Sequence, residues 1–210
     1  MTTLVVGGHS RNIGKTSVAA GLIGAFPELG WTALKITQYG HGICSINGRE
    51  CGCAVEEHAH AVTEERDAAA RSDTARFLAA GARRSFWVRT KQGQLESALP
   101  EVLPLVGSAG YVMIESNSIL RFLDPDLYIV VLGYGVSDFK PSALEFLGRA
   151  DAAVAVGDPR RRPAWAERVE GVLGNVPSFR AAPPEYVPQG LVDFVASRLR
   201  LCGRGSARTR

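Results

Sequence analysis

The chain has 210 residues, 46% of them hydrophobic and 21% charged, with a formal net charge of +3. That balance belongs to a globular protein able to bury a sizeable core, and it excludes a disordered chain, a coiled coil and a small disulfide-stapled module. A charge of +3 is too small to argue for a nucleic-acid partner. Five arginines (Arg198, Arg200, Arg204, Arg208 and Arg210) crowd the last thirteen residues.

Short apolar runs alternate with helical patterns along the sequence. Leu4–Val6 reads as a strand, and Thr16–Phe26 as a helix with Val18, Ala19, Leu22, Ile23 and Phe26 at helical spacing. Trp31–Ile36 reads as a second strand. Thr74–Ala82 is expected to be a helix with Asp73 as its N-cap. Ser85–Val88 is a short strand candidate, and Leu95–Leu105 a helix interrupted or ended near its prolines. Tyr111–Ile114, Leu127–Leu132 and Ala152–Val156 are apolar enough for strands buried on both faces. Pro141–Leu147, Ala164–Val172 and Gln189–Leu201 read as helices. The alternation predicts one α/β domain over residues 1–201, with a mainly parallel sheet between two helical layers and a basic flexible tail at 202–210.

No apolar run approaches the ~18–20 residues needed to span a bilayer. Met1-Thr2-Thr3 leads straight into an apolar strand without a basic targeting region. The expectation is a cytoplasmic protein whose four cysteines are thiols or ligands, with no membrane and no nucleic-acid partner.

In a parallel sheet, ligands sit at the carboxyl ends of the strands. Four stretches fall there: Gly7–Ser17, Thr37–Arg66, Glu115–Ser118 and Gly133–Lys140. The first contains Gly14-Lys15-Thr16 at a strand-to-helix junction. Glycines let successive N–H groups converge on an anion, the helix start adds its dipole, Lys15 supplies a point charge, and Thr16 offers a hydroxyl to Mg²⁺. Residues Gly8, Arg11, Asn12, Ile13, Gly14, Lys15, Thr16 and Ser17 are thus the expected cradle for a nucleoside triphosphate. The spacing departs from G-x-x-x-x-G-K, because His9 stands where the first glycine would be.

Gly8-x5-Gly14-Lys15-Thr16 resembles the loop of dethiobiotin synthetase, a P-loop enzyme of the class that includes the nitrogenase iron protein and MinD-type ATPases. Trp31–Ile36, ending near Lys35, and Asp73–Ala82, of the form D-T-A-R-F-L-A-A-G-A, are similar to the molybdopterin-guanine dinucleotide biosynthesis protein B (MobB) family. That family's later strand ends in V-E-G. Here Ile114-Glu115-Ser116 keeps the acid and lacks the glycine. The resemblance covers roughly fifty residues scattered between 4 and 118. It implies a three-layer P-loop NTPase fold, a role in cofactor biosynthesis, a lysine (Lys35) near the transferred phosphate or substrate, and a homodimer.

Glu115, at the end of an apolar strand, is placed to hold Mg²⁺ with Thr16, and Asp73 and Asp67 are further candidates for the metal shell. Lys15, Lys35 and Glu115 are the expected catalytic residues. Asp138 and Lys140 follow another strand and are candidates to face the substrate. Asp158 and Pro159 follow the strand Ala152–Val156, where related ATPases cradle the base. The guanine-selective N-K-x-D motif is absent, so ATP and GTP stay open.

The long stretch between residues 38 and 66 carries a cluster of its own. Cys44, Cys51 and Cys53 lie within ten residues, among His41, His58 and His60. Thiolates with a histidine suit Zn²⁺, and three cysteines can hold an iron–sulfur cluster with one open iron. Cys44, Cys51, Cys53 and His58 are the candidate ligands; three reduced thiols without metal is the plain alternative. If residues 54–66 were helical, His58 and His60 would face different sides. These features are compatible with three functions. The first is an NTP hydrolase or ATP-dependent ligase or kinase acting on a small molecule. The second is a metallochaperone or cluster-carrying ATPase in which hydrolysis gates metal release. The third is a low-turnover adaptor for a cofactor-assembly enzyme.

Overall fold

The computed structural model describes residues 1–39, 59–158 and 160–199. Cys44, Cys51, Cys53, His41, His58, Pro159 and the tail at 202–210 lie outside the described residues.

Among the described residues eight strands form one sheet: β1 (Thr2–Gly8), β2 (Thr32–Tyr39), β3 (His60–Glu65), β4 (Arg84–Lys91), β5 (Tyr111–Glu115), β6 (Leu127–Gly133), β7 (Ala152–Val156) and β8 (Ser178–Ala181). Their order is β3-β4-β2-β5-β1-β6-β7-β8. Every pair is parallel except β3–β4. The central strands read as unbroken apolar runs because both of their faces are covered, as in β6, where all seven residues are buried.

Among the described residues six α-helices cover the sheet: α1 (Lys15–Ala25), α2 (Asp73–Ala79), α3 (Leu99–Gly107), α4 (Pro141–Phe146), α5 (Ala166–Leu173) and α6 (Gln189–Arg198). Strand residues alternate between two separate cores. Leu4, Val6, Met113, Ile129, Val131 and Val154 pack with Val18, Leu22 and Ile23 of α1, Phe77 of α2, and Leu191 and Val195 of α6. Val5, Leu34, Ile114, Val130 and Ala153 pack on the opposite face with Val102 and Val106 of α3, Phe146 of α4 and Val169 of α5. The two cores make the three layers, and each fully buried large side chain contributes about 1.5–3 kcal/mol of transfer free energy. Among the described residues no helix is long and apolar enough to cross a membrane.

Two strands and one cap differ from the sequence-based expectation. Residues 60–65 form an antiparallel edge strand on β4 rather than part of a loop or helix. β8 pairs with β7 at the other edge; it is four residues long and buries only Ala181, so it carries no hydrophobic signature. The N-cap of α2 is Ser72, whose Oγ accepts the Ala75 N–H at 2.9 Å. Asp73 is the first helical residue, and its carboxylate is left for a different partner.

The end of β2 and the start of β3 both lie beside the carboxyl end of β4, since the order is β3-β4-β2. The two ends of the β2–β3 connection are fixed on consecutive residues of that strand end. Gln92 donates its N–H to the Tyr39 carbonyl at 2.7 Å, and Lys91 donates to the Ala59 carbonyl at 3.2 Å.

Candidate functional site

The turn from β1 into α1 is shaped by its glycines. Gly14 has φ +96° and sits under the Tyr186 ring, where a Cβ would come within 2.4 Å of Tyr186 Cε1. A Cβ on Gly8 would lie 2.9 Å from both Ile13 Cδ1 and Lys15 Cδ. Asn12 also adopts positive φ, at 55°, which asparagine tolerates better than most residues. Asn117 clamps the loop from β5: its Oδ1 accepts the Gly8 N–H at 2.8 Å and its Nδ2 donates to the Gly8 carbonyl at 2.9 Å. No side chain caps the start of α1. Its first-turn amides therefore remain available to an anion.

Lys15 arches back over this loop and donates to the Ser10 carbonyl. Burial lowers its ammonium from the ordinary lysine value to about 8, against the raising effect of Glu115. Among the described residues Lys15 has no carboxylate within salt-bridge distance.

Beside it lies a compact charged group assembled from four elements. The pairing of β2 with β5 sets Lys35 opposite Glu115. Lys35 Nζ is 2.9 Å from Glu115 Oε1, 2.6 Å from Asp73 Oδ2 and 3.2 Å from Thr16 Oγ1. Thr16 donates its hydroxyl to Glu115 Oε2 at 2.7 Å. Burial pulls the Lys35 ammonium down, but Glu115 and Asp73 outweigh it and hold the group above the ordinary lysine value. Burial likewise pushes Asp73 up, and Lys35 more than reverses it, keeping the carboxyl below its usual range. Two carboxylates and a hydroxyl form an all-oxygen donor set of the kind a hard dication prefers. Arg76 extends the group, donating to Ser17 Oγ at 2.9 Å and lying 3.6 Å from Asp73 Oδ1.

His9 joins the loop to the segment after β6. Gly133 donates its N–H to His9 Nε2 at 2.9 Å, so that nitrogen carries no proton and Nδ1–H donates to the Asp138 carbonyl at 2.7 Å. Burial lowers the imidazole pKa, in keeping with this neutral tautomer. The ring stacks on Phe139 and lies 4.7 Å from the Trp165 ring. Ser10 donates to Asp138 Oδ2 at 2.7 Å, and Lys140 N–H donates to the His9 carbonyl at 2.8 Å.

The loop and the charged group open onto one cleft of about 780 Å³ at the carboxyl edge of the sheet, and His9 and Asp138, the latter expected to face the substrate, are outside its lining. Of the residues expected from sequence, Gly8, Arg11, Asn12, Ile13, Gly14, Lys15, Thr16, Ser17, Lys35, Asp73, Glu115 and Lys140 all line it. Asp67 does not; its carboxylate accepts the Ala69 N–H within its own turn. Asp158 follows β7 as expected, outside the cleft lining, and is paired with Arg160 at 3.0 Å. His60 lies on β3, bonded to Glu101 at 2.8 Å and Ser97 at 3.1 Å. Three contributors escape sequence reasoning to differing degrees. Asn117 has a usable signal, an amide directly after a strand ending in Glu115-Ser116. His9 is visible only as a departure from the glycine pattern, and Tyr186 has no signal at all.

No protein-family model and no curated protein sequence matches the chain. Among solved structures, the chain is similar to HypB from Helicobacter pylori in complex with nickel, with a TM-score of 0.56 and 14% identity over 99% of this chain and 92% of that one. Weaker likenesses are to the apo-form LpxK from Aquifex aeolicus in complex with ATP and to the MinC:MinD cell division complex of Aquifex aeolicus. The first has a TM-score of 0.45 and 18% identity over 86% of this chain and 53% of that one. The second has a TM-score of 0.43 and 14% identity over 100% and 99%. At these identities the likeness speaks for architecture, and the architecture is a three-layer α/β P-loop NTPase fold.

Proposed function

We propose that the chain is a magnesium-dependent P-loop enzyme that binds ATP or GTP and transfers or hydrolyses the terminal phosphate, in a cofactor-biosynthesis role like that of the MobB family. The observation that carries this is the convergence of Lys15, Thr16, Lys35, Asp73 and Glu115, from four elements, on one uncapped, glycine-shaped loop. The loop amides and Lys15 hold the phosphates in line, and Lys35 carries positive charge to the outer phosphate or the acceptor. Thr16, Glu115 and Asp73 would hold magnesium, which neutralises charge on the β- and γ-phosphates when bound. Asp158 and Pro159 are proposed to meet the base. The protein is proposed to be one domain with a basic tail, cytoplasmic and homodimeric.

The test is calorimetric titration with Mg-ATP and Mg-GTP. Lys15→Ala is expected to abolish binding of both while leaving the thermal unfolding transition cooperative. Unchanged nucleotide affinity in that variant would overturn the reading.

A second reading is favoured by the anchoring of the β2–β3 connection. Its ends at Tyr39 and Ala59 are bonded to Gln92 and Lys91, and Tyr39 and Gln92 line the cleft. The segment bearing Cys44, Cys51, Cys53 and His58 therefore begins at the rim of the cleft, at Tyr39, and ends beside the neighbouring residue of the same strand end. We propose that these residues bind zinc or an iron–sulfur cluster whose release is coupled to hydrolysis. The nickel complex of HypB, a structure of like architecture, is compatible with that coupling. A low-turnover adaptor for a cofactor-assembly enzyme is the third reading; turnover without an added partner would exclude it.

A further inference from the structure

Not all of the cleft's positive charge is needed by a nucleotide. In the proposed reaction Lys15, the loop amides and Lys35, which Glu115 and Asp73 hold in place, suffice for the phosphates, and Arg11 of the expected cradle is left over. Two further cations, Arg11 and Lys140, line the same cleft from different elements. Burial, and then the charge of Arg11, lower the Lys140 ammonium below its ordinary value, against the raising effect of Asp138. The nearest acid in sequence, Asp138, accepts the Ser10 hydroxyl instead. Among the described residues neither Arg11 nor Lys140 has a carboxylate within salt-bridge distance. Two cations on one concave wall, neither ion-paired and only Lys140 partly offset by Asp138, make an anion site.

The wall beyond them gives the character of what binds. The same cleft is also lined by Ser142, Ser116, Asn117, Ser118, Thr37, Gln38 and Gln92. Hydroxyls and amides dominate that part of the lining, with Ile36 and Tyr39 between them. Lys140 itself is held in place, because its backbone N–H is bonded to the His9 carbonyl and the preceding residues are locked by the His9 and Ser10 contacts to Asp138.

The geometry points to a second, non-nucleotide ligand site in this cleft, in which Arg11 and Lys140 bind the anionic group of a small, polyhydroxylated or otherwise hydrophilic co-substrate. The site rests on the proposed nucleotide function, since it supplies the acceptor side of that reaction. The anionic group is a carboxylate or a phosphate, which share this chemistry.

The experiment is calorimetry on the full chain saturated with a non-hydrolysable triphosphate analogue and magnesium. Inorganic phosphate and malonate are titrated in separate arms against the wild type, Lys140→Gln and Lys140→Arg. The expected result is saturable binding of one anion, weakened about tenfold or more by Lys140→Gln and restored by Lys140→Arg, with affinity for the analogue unchanged. Binding of phosphate alone assigns a phosphorylated co-substrate, and binding of malonate alone a carboxylate one. The proposal is overturned if neither anion binds the loaded wild type or if Lys140→Gln binds the anion as well as the wild type. It is also overturned if the variant loses the analogue as much as the anion, since Lys140 would then serve the nucleotide. A protein that binds no analogue, yet binds phosphate in a Lys140-dependent way, overturns the nucleotide reading and leaves the anion site standing.

Discussion

Lys15 carries a pH signature of its own. Its ammonium titrates near 8 in the folded chain, against an ordinary lysine value of 10.5. Between those values the unfolded chain binds the proton more readily, so this group makes the fold more stable as pH rises through that window. A bound polyanion reverses the shift by favouring the charged form. Nucleotide binding near pH 8 is therefore expected to take up protons. Titrations in buffers of different ionisation enthalpy should show an apparent binding enthalpy that scales with the buffer; a buffer-independent enthalpy would contradict it. His9 acts in the opposite pH range. Its imidazole is held neutral by burial, so the unfolded chain gains the proton first and stability falls as pH drops below about 6.5. At this scale the sequence is most readable where chemistry is local. Gly14-Lys15-Thr16 declares itself because three neighbours do one job. Tyr186 over Gly14 is invisible there, because an aromatic distant in the chain gives no sign of which backbone it will cover.

Among the elements, α2 shows how a cap can be misread and why it matters. Aspartate at 73 looks like an N-cap, but Ser72 takes that place and Glu65 accepts the Ser72 hydroxyl at 2.7 Å. Moving the cap by one residue turns the Asp73 carboxylate toward Lys35 and makes α2 part of the site. Ser72→Ala is expected to cost about 1 kcal/mol in urea unfolding and to loosen Asp73. A variant with unchanged stability would show that the cap contributes nothing. The strands obey the same logic of visibility. β1, β5, β6 and β7 are legible as apolar runs because both their faces are buried. β3 is not, since an edge strand with one partner keeps polar residues such as Thr63, Glu64 and Glu65, which satisfy no apolar pattern. β8 is hidden for the same reason.

Over the whole molecule, seven parallel-paired strands bring the ends of β1, β2, β4, β5 and β6 to one edge, and the site is built from the residues that succeed those strand ends. The alternation of strands and helices announces that arrangement, and with it the general position of the cleft. The order β3-β4-β2 is not deducible, because the turnabout at β3 depends on pairing rather than on periodicity. That order predicts how the protein responds to losing residues 40–58. Replacing them with a short glycine-serine bridge is expected to leave unfolding free energy and nucleotide affinity nearly unchanged, while removing co-purified zinc or iron measured by elemental analysis. Loop closure varies by only about 0.6 kcal/mol per doubling of length, so a large loss of stability would show that the segment supports the sheet. Metal content equal to that of the intact chain would remove the metal reading.

The paired bonds from Lys91 and Gln92 act as a buckle across the neck of that excursion. Those two backbone bonds close the neck whatever the length of chain beyond it, so a shortened excursion would leave β2, β3 and the end of β4 joined as before.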